Sequence, residues 1–237
     1  MYYSRLLLNP RSSRVRRDIA DDFEMHRTVM SAFPKLDQRK RDDPGSGSIL
    51  WRVDHDRRRG IVMLIVQSEL APDWQPLLSK FPGYLSSPPD TELPPVATMD
   101  RHLQFHSGQM LAFRLRANPT RKVRAEGKKN GQRMGLTLRE DQLAWLSRKV
   151  AEPNRPLGFR LHKVTVMPNP GPRRKTESGD NSESGGVATV ARQLTHVAAI
   201  FEGVLEVTDC EAFQNTLRAG IGSAKAFGFG LLSVARA

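Results

Sequence analysis

The chain has 237 residues, of which 38% are hydrophobic and 26% charged, so it fits one large or two small globular domains and is too apolar to be disordered throughout. No stretch approaches the roughly 20 apolar residues of a membrane-spanning helix, and the single cysteine, Cys210, excludes an internal disulfide framework and a thiolate zinc cluster. From these observations we expect a soluble, cytoplasmic protein without a membrane anchor. Its formal net charge is +12.

The positive charge is concentrated in one quarter of the chain. Seventeen basic and 4 acidic residues lie between Arg114 and Lys175, whereas the rest of the chain holds 20 basic and 21 acidic residues. Such a concentration favours a polyanionic partner, because neutralising phosphates releases counterions and drives association. A solvated basic surface that serves only solubility is the alternative.

The first ninety residues predict a domain of strands and short helices. Asp21 or Asp22 can cap the first helix and Pro34 stops it. The stretch 82–95 is rich in Pro and Ser and interrupts regular structure, so we predict a domain over 1–90 followed by a linker over 91–108. In chain order the patterns predict a strand over 2–8 that leads into the basic segment 11–17, a helix over about 23–33, a hairpin with strands over 49–53 and 61–66, and a short helix over 74–78.

The second half predicts a domain over 109–237 with a clearer order. Capping boxes at 137–140 and 208–211 open two helices, the second of which ends at Gly220. Strands are predicted over 110–116, over 159–167, within 187–207 and over 229–234, with a mobile insertion over 168–186. The order strand, helix, strand, strand, helix, strand is that of a ferredoxin-like unit. We therefore predict an α+β fold of two tandem ferredoxin-like (RRM-like) βαββαβ domains.

His26 is the best candidate for catalysis. On a helix it falls within a wide apolar arc formed by Phe23, Met25, Val29, Met30 and Phe33. A histidine with apolar neighbours is either a core residue with satisfied hydrogen bonds or a group poised to transfer protons. The pattern leaves both interpretations open.

Two other histidines, His102 and His106, share the spacing of metal ligands on a helix. They lack the HExxH pattern and nearby carboxylates, which favours a structural or surface role. We predict no metal site and no cofactor.

The glycine-rich segment 220–230 contains four glycines around Lys225. A helix precedes it and a strand follows it, the reverse of a dinucleotide-binding fingerprint, and it lacks the order of a P-loop. Backbone N–H groups at Gly220, Gly222 and Ser223 could instead approach RNA phosphates, with Lys225 adding charge. A tight turn between helix and strand is the alternative interpretation.

Taken together, these segments resemble the CasE endoribonucleases of type I-E CRISPR-Cas systems, over nearly the whole length of the chain. The joint order of the motifs is more specific than any one of them. The motifs are YYSRL at 2–6, MHR at 25–27 with AFP at 32–34, VQSE at 66–69 before PDW at 72–74, FRLRANP at 113–119, and GIG at 220–222 with GFGLLS at 228–233.

The resemblance implies two tandem ferredoxin-like domains, in agreement with the strand and helix patterns. It also implies metal-independent cleavage of the CRISPR repeat RNA at the base of its hairpin, retention of the product crRNA, and assembly with the other subunits of Cascade. His26 matches the family's catalytic histidine. Some relatives place a tyrosine three residues earlier, where this chain has Phe23, which carries no hydroxyl. We expect a monomer before assembly.

We therefore expect the substrate's own 2′-OH to attack the scissile phosphate, with His26 acting as base or as acid. Arg27 and Lys225 are candidates to stabilise the developing charge, and Ser31 is a neighbouring candidate. Phosphate contacts are predicted for Arg114, Arg116, Arg155, Arg160, Lys163, Arg173 and Arg174. The rival interpretations are a non-catalytic RNA-binding or assembly protein on the same fold, and a ribosome-associated basic protein.

Overall fold

A computed structural model describes residues 1–34, 48–86, 92–123, 132–169 and 196–237. Within these ranges the chain forms two antiparallel four-stranded sheets, a separate two-stranded hairpin and five α-helices. None of the helices in the described ranges combines the length and the apolar character needed to cross a bilayer.

The elements of the first domain are β1 (Tyr2–Leu8), α1 (Ser13–Ala20), α2 (Asp22–Met30), β2 (Ile49–Asp56), β3 (Ile61–Ser68), α3 (Gln75–Lys80) and β4 (Val96–Asp100). The first strand lies next to the third and fourth strands, in the order β2-β3-β1-β4. Strand β1 pairs antiparallel with β3, where Leu6 lies opposite Leu64, and with β4, where Ser4 lies opposite Thr98. Leu6 and Leu64 are fully buried and belong to the core of this domain.

The elements of the second domain are β5 (Met110–Ala117), β6 (Thr120–Val123), β7 (Gln132–Gly135), α4 (Arg139–Val150), β8 (Phe159–Asn169), β9 (Ala198–Val207), α5 (Cys210–Ala219) and β10 (Leu232–Arg236). Its four-stranded sheet repeats the arrangement of the first, in the order β10-β5-β9-β8. In both sheets the first strand lies between the third and the fourth, which is the ferredoxin-like order, so the predicted fold class is confirmed.

The structure corrects the predicted linker over 91–108. Residues 96–100 of that segment form β4, the fourth strand of the first sheet, so this sheet ends at Asp100 and not near residue 90. Strand β4 is short and half-buried to exposed at the sheet edge, so its sequence shows no clear apolar alternation. Helix α1 and the β6–β7 hairpin were also not predicted.

The helix starts agree only partly with the predicted caps. The carboxylate of Asp21 accepts a hydrogen bond from the N–H of Phe23 (2.9 Å) and caps α2, as predicted. The cap of α5 is Asp209, which accepts from the N–H of Ala212 (3.0 Å), and not Thr208. The capping box predicted at Thr137 does not form, since α4 begins after Leu138 without a side-chain cap.

Candidate active site between the two domains

Helix α2 carries His26 to the boundary between the domains. Met25 and Val29 of this helix are buried in the first core, whereas His26 is only half-buried and lies outside that core. The centroid of the His26 ring lies 6.4 Å from that of Phe227 in the glycine-rich segment of the second domain. The helix therefore anchors itself with one face and presents the imidazole to the other domain.

The glycine-rich segment 220–230 forms a turn that packs against β2. Where the turn comes closest to β2, only glycine fits. Gly228 has φ +76°, and a Cβ built on it would lie 2.6 Å from the Trp51 ring of β2. A short 3-10 helix, Lys225–Phe227, precedes Gly228 and contacts both β2 and α2. The turn thereby places Lys225 and Phe227 beside the helix that holds His26.

Arg116, predicted to contact phosphates, is instead buried behind this turn with 6% of its surface exposed. Its guanidinium donates to the carbonyl oxygens of Gly228 (3.1 Å) and Phe227 (3.4 Å) and lies 4.2 Å from the centre of the Phe229 ring. The Gly230 N–H donates back to the carbonyl of Arg116 (2.7 Å). Such burial argues against a direct RNA contact and gives Arg116 the role of holding the turn in shape.

Arg116 interacts electrostatically with a carboxylate of the first domain. Burial lowers the pKa of the Arg116 guanidinium, and the Asp22 carboxylate on α2 opposes that effect. Burial in turn raises the pKa of Asp22, while the charge of Arg116 lowers it. The Asp22 carboxylate in the first turn of α2 thus attracts the Arg116 guanidinium, which holds the glycine-rich turn in shape.

Several aromatic rings gather around Phe227, and His196 among them was not predicted. The His196 ring lies 4.9 Å from Phe227 and 5.4 Å from Phe229. Burial, and then the charge of Arg116, lowers the pKa of His196. No motif marks His196 in the sequence, whereas the alternation of Phe227 and Phe229 with glycines partly resembles an RNA-stacking motif and could have identified those two rings.

Lys225 is half-buried in the turn, and burial followed by the charge of Arg155 lowers its pKa. Arg155 is exposed, and its charge acts on Lys225. Arg27 is 74% exposed and forms an ion pair with Glu24 (3.1 Å).

The remaining residues predicted around the turn are also placed. The Ser31 hydroxyl donates to the Thr28 carbonyl (2.7 Å) and so closes the end of its own helix. Gly220 is buried against Leu50, Gly222 lies against the Trp145 ring, and Ser223 is half-buried.

The predicted basic sheet face contains its own acidic partners. Arg114 and Arg160 lie opposite Glu202 and Glu206 on β9 and form ion pairs with them, the second at 2.7 Å. Lys163 is exposed on β8, next to a bulge at His162. This face of the sheet therefore carries ion pairs as well as exposed basic side chains. Arg173 and Arg174 lie outside the described residues.

His102 and His106 are exposed in a segment without helical structure, so the helical spacing of metal ligands does not arise there. Within the described ranges, no group of three or more His, Cys, Asp or Glu side chains could hold a metal ion.

A sequence model described as "CRISPR associated protein" matches residues 1–236 of the chain. The CRISPR-associated endoribonuclease Cse3 of Thermus thermophilus is 35% identical over 243 residues, covering 99% of this chain and 100% of that protein. The chain belongs to the CasE family.

The CRISPR system Cascade subunit CasE of Escherichia coli is 34% identical to this family member over 147 residues, which are 59% of this chain and 65% of that protein. Among solved structures, CRISPR endoribonuclease Cse3 bound to a 19-nucleotide RNA has a TM-score of 0.71 and 34% sequence identity. That alignment covers 99% of this chain and 100% of the other. This CasE-family chain and the RNA-bound Cse3 structure thus share their fold over the whole length.

Proposed function

We propose that this CasE-family protein is an endoribonuclease that cleaves CRISPR precursor RNA at the base of the repeat hairpin and retains the product. The observation that carries this proposal is His26 on α2, facing the turn that contains Lys225 across the domain boundary. The Cse3 relative is named an endoribonuclease, and its structure contains bound RNA.

The geometry supports acid–base chemistry on RNA. In the proposed reaction the 2′-oxygen forms a bond to phosphorus and the bond to the 5′-oxygen breaks, which leaves a 2′,3′-cyclic phosphate and a 5′-hydroxyl. One proton leaves the 2′-oxygen and one reaches the 5′-oxygen, and His26 transfers one of them. Lys225 and Arg155 supply positive charge near the phosphate, where it stabilises the developing negative charge.

The second sheet supplies the proposed binding surface for the stem of the hairpin. Arg160 and Lys163 are exposed on β8, where they can contact phosphates of a stem that is recognised largely by its shape. Arg114 is 40% exposed and shares its charge with Glu202 and Asp54, so we rank it below Lys163 as a phosphate contact. Affinity would then depend mainly on β8 and cleavage mainly on α2 and the turn.

The decisive experiment is cleavage of repeat RNA in the presence of EDTA. The wild-type protein should cut the hairpin at one position without a divalent metal, and RNA with a 2′-deoxy nucleotide at that position should bind but stay intact. His26→Ala should abolish cutting and leave affinity within about twofold, because phosphate contacts dominate binding. His106→Ala, at an exposed histidine outside the site, is the matched control and should cut normally.

Two outcomes would contradict the proposal. Cutting of the 2′-deoxy RNA would exclude attack by the 2′-OH. Tight binding of the hairpin without any cutting would support the rival function, a non-catalytic RNA-binding or assembly protein.

We further propose that the protein acts in the cytoplasm, as a monomer before it joins a Cascade complex with its RNA. The E. coli relative is named a Cascade subunit, which supports the assembly step. Light scattering on the free protein should give the mass of one chain.

A further inference from the structure

A row of aromatic rings runs from the exposed side of α2 into the second domain. Phe227 lies at its centre, 4.6 Å from Phe23 and 4.9 Å from His196, and Phe229 follows His196 at 5.4 Å. Three of these rings are wholly or partly buried, whereas Phe23 is 46% exposed. The row therefore ends in solvent at Phe23.

The exposed ring is also held in place. The N–H of Phe23 donates to the Asp21 carboxylate that caps α2, and the ring packs edge-to-face against Phe227 with an interplanar angle of 62°. An edge-to-face contact fixes the orientation of the ring and leaves part of its surface accessible. A large apolar ring that is both fixed and half-exposed, beside the turn that contains Lys225, has the properties of a contact surface for a ligand.

The position of Phe23 relative to His26 indicates what that ligand is. The two residues are three apart on one helix and therefore lie on the same side of it. Lys225, on the facing turn, provides positive charge at the same place. A ligand that stacks on Phe23 would thus have to carry a flat apolar part next to a negatively charged group, as a nucleotide does.

We infer that the Phe23 ring, supported by Phe227, is the stacking platform for one unpaired nucleobase adjacent to the scissile phosphate. The inference rests on the proposed function, because it takes the ligand to be RNA. Bases that are not paired in a stem are bound by stacking on aromatic side chains, and the ring face accepts any base. A phenyl ring has no proton to transfer, so Phe23 would hold the substrate while His26 and the charged groups act on the phosphate.

The test is a double-mutant cycle between the protein and the RNA, with a 2′-deoxy nucleotide at the cleavage position so that only binding is measured. Phe23→Ala should weaken binding roughly 5- to 150-fold, the range expected for the loss of one base–aromatic stack. An abasic nucleotide on the correct side of the scissile phosphate should have a similar effect. Combining the two changes should add nothing to the larger single effect.

Two further variants and a control sharpen the cycle. Phe23→Tyr keeps the ring and should bind like the wild type, whereas Phe23→Leu keeps apolar volume without a ring and should bind like Phe23→Ala. Met99→Ala removes an apolar side chain of similar exposure (47%) from β4 and should leave binding unchanged. 2-Aminopurine at the stacked position should be quenched by the wild type and by Phe23→Tyr.

The stacking proposal is wrong if Phe23→Ala and an abasic nucleotide weaken binding independently of each other, whichever side of the scissile phosphate the abasic nucleotide is on. It is also wrong if Phe23→Leu binds RNA as tightly as Phe23→Tyr. If the wild type cuts the natural hairpin in that case, the proposed function stands without the platform. If the wild type does not cut but the cycle shows coupling, the cleavage proposal fails and the stacking site remains. Melting curves of each variant show whether it is folded, and the Tyr–Leu comparison holds even if the alanine variant is not.

Discussion

The guanidinium of Arg52 forms two hydrogen bonds with the carboxylate of Asp54, 2.8 Å from Nε to Oδ1 and 2.9 Å from Nη2 to Oδ2. Both residues are on β2 and both are buried. The same guanidinium donates to the carbonyl of Leu231 (3.3 Å) and to the hydroxyl of Ser233 (3.1 Å) in the second domain. The pair therefore joins the two domains next to the glycine-rich turn.

Arg52→Met should destabilise the protein by about 3 kcal/mol, because it removes both hydrogen bonds to the buried Asp54 carboxylate and leaves it the longer ion pair with Arg114, at 3.5 Å. Urea unfolding measures the change. The double variant Arg52→Met with Asp54→Leu should be less destabilised than the single variant, since no buried charge then lacks a partner. Equal loss in both would show that the hydrogen bonds of Arg52 to Leu231 and Ser233 matter more than its pairing with Asp54.

Gly228→Ala should cost about 2 kcal/mol more stability than Gly83→Ala. Both glycines have positive φ, +76° and +78°, so both substitutions introduce similar backbone strain. Only at Gly228 would the new methyl group collide with another side chain, the Trp51 ring, since nothing lies within 4 Å of a Cβ at Gly83. Thermal unfolding of the two variants tests this difference. Similar melting temperatures would mean that the turn moves away from Trp51 without cost.

Lys225→Met should lower the single-turnover cleavage rate about 100-fold and change RNA affinity much less. The methionine keeps the aliphatic stem but removes the charge that we propose acts on the phosphate. Lys225→Arg keeps a charge and should retain more activity. A uniform loss of affinity in Lys225→Met, with an unchanged rate on bound RNA, would assign Lys225 to binding alone.

His196 should make the folded protein sensitive to acid. Burial and then Arg116 lower its pKa, so the folded state takes up a proton less readily than the unfolded state. This contribution to stability is complete above the unfolded pKa of about 6.5 and is lost as the pH falls through the lower folded pKa. Between pH 7 and pH 5, the melting temperature should therefore fall more steeply for the wild type than for His196→Phe. Parallel curves would show that another group controls this range.

Lys163→Gln should reduce the slope of log affinity against log salt by about 0.7 to 0.9, the value for one lost phosphate contact. Arg148→Gln removes an exposed charge from α4, which is not part of the proposed RNA face, and should leave the slope unchanged. An equal reduction in both variants would indicate a diffuse effect of net charge in place of a defined contact.

The sequence predicts the elements with strong local patterns and misses those that depend on distant contacts. Strand β1 matches its predicted bounds because it consists of two tyrosines and three leucines around Ser4 and Arg5, and α5 begins after Asp209, within the predicted capping box. Strand β4 is recognisable only from its pairing with β1.

The candidate site shows the same division. His26 is predicted from its helix and from the family resemblance. The position of His196 beside Phe227 and the hydrogen bonds of Arg52 to Leu231 and Ser233 depend instead on residues distant in sequence. Arg116 is the clearest case. The alternation of residues along β5 correctly places Arg116 on the face of the sheet that points away from the core of its own domain. That face is not open to solvent at Arg116, because the glycine-rich turn covers it.

Each domain supplies only part of the proposed site: α2 and its imidazole come from the first, and Lys225 with its turn comes from the second. Neither unit, made separately, has both the proposed proton-transfer group and the Lys225 cation. Cutting activity is therefore a property of their assembly, and the two halves produced as separate polypeptides would gain it only when they bind each other.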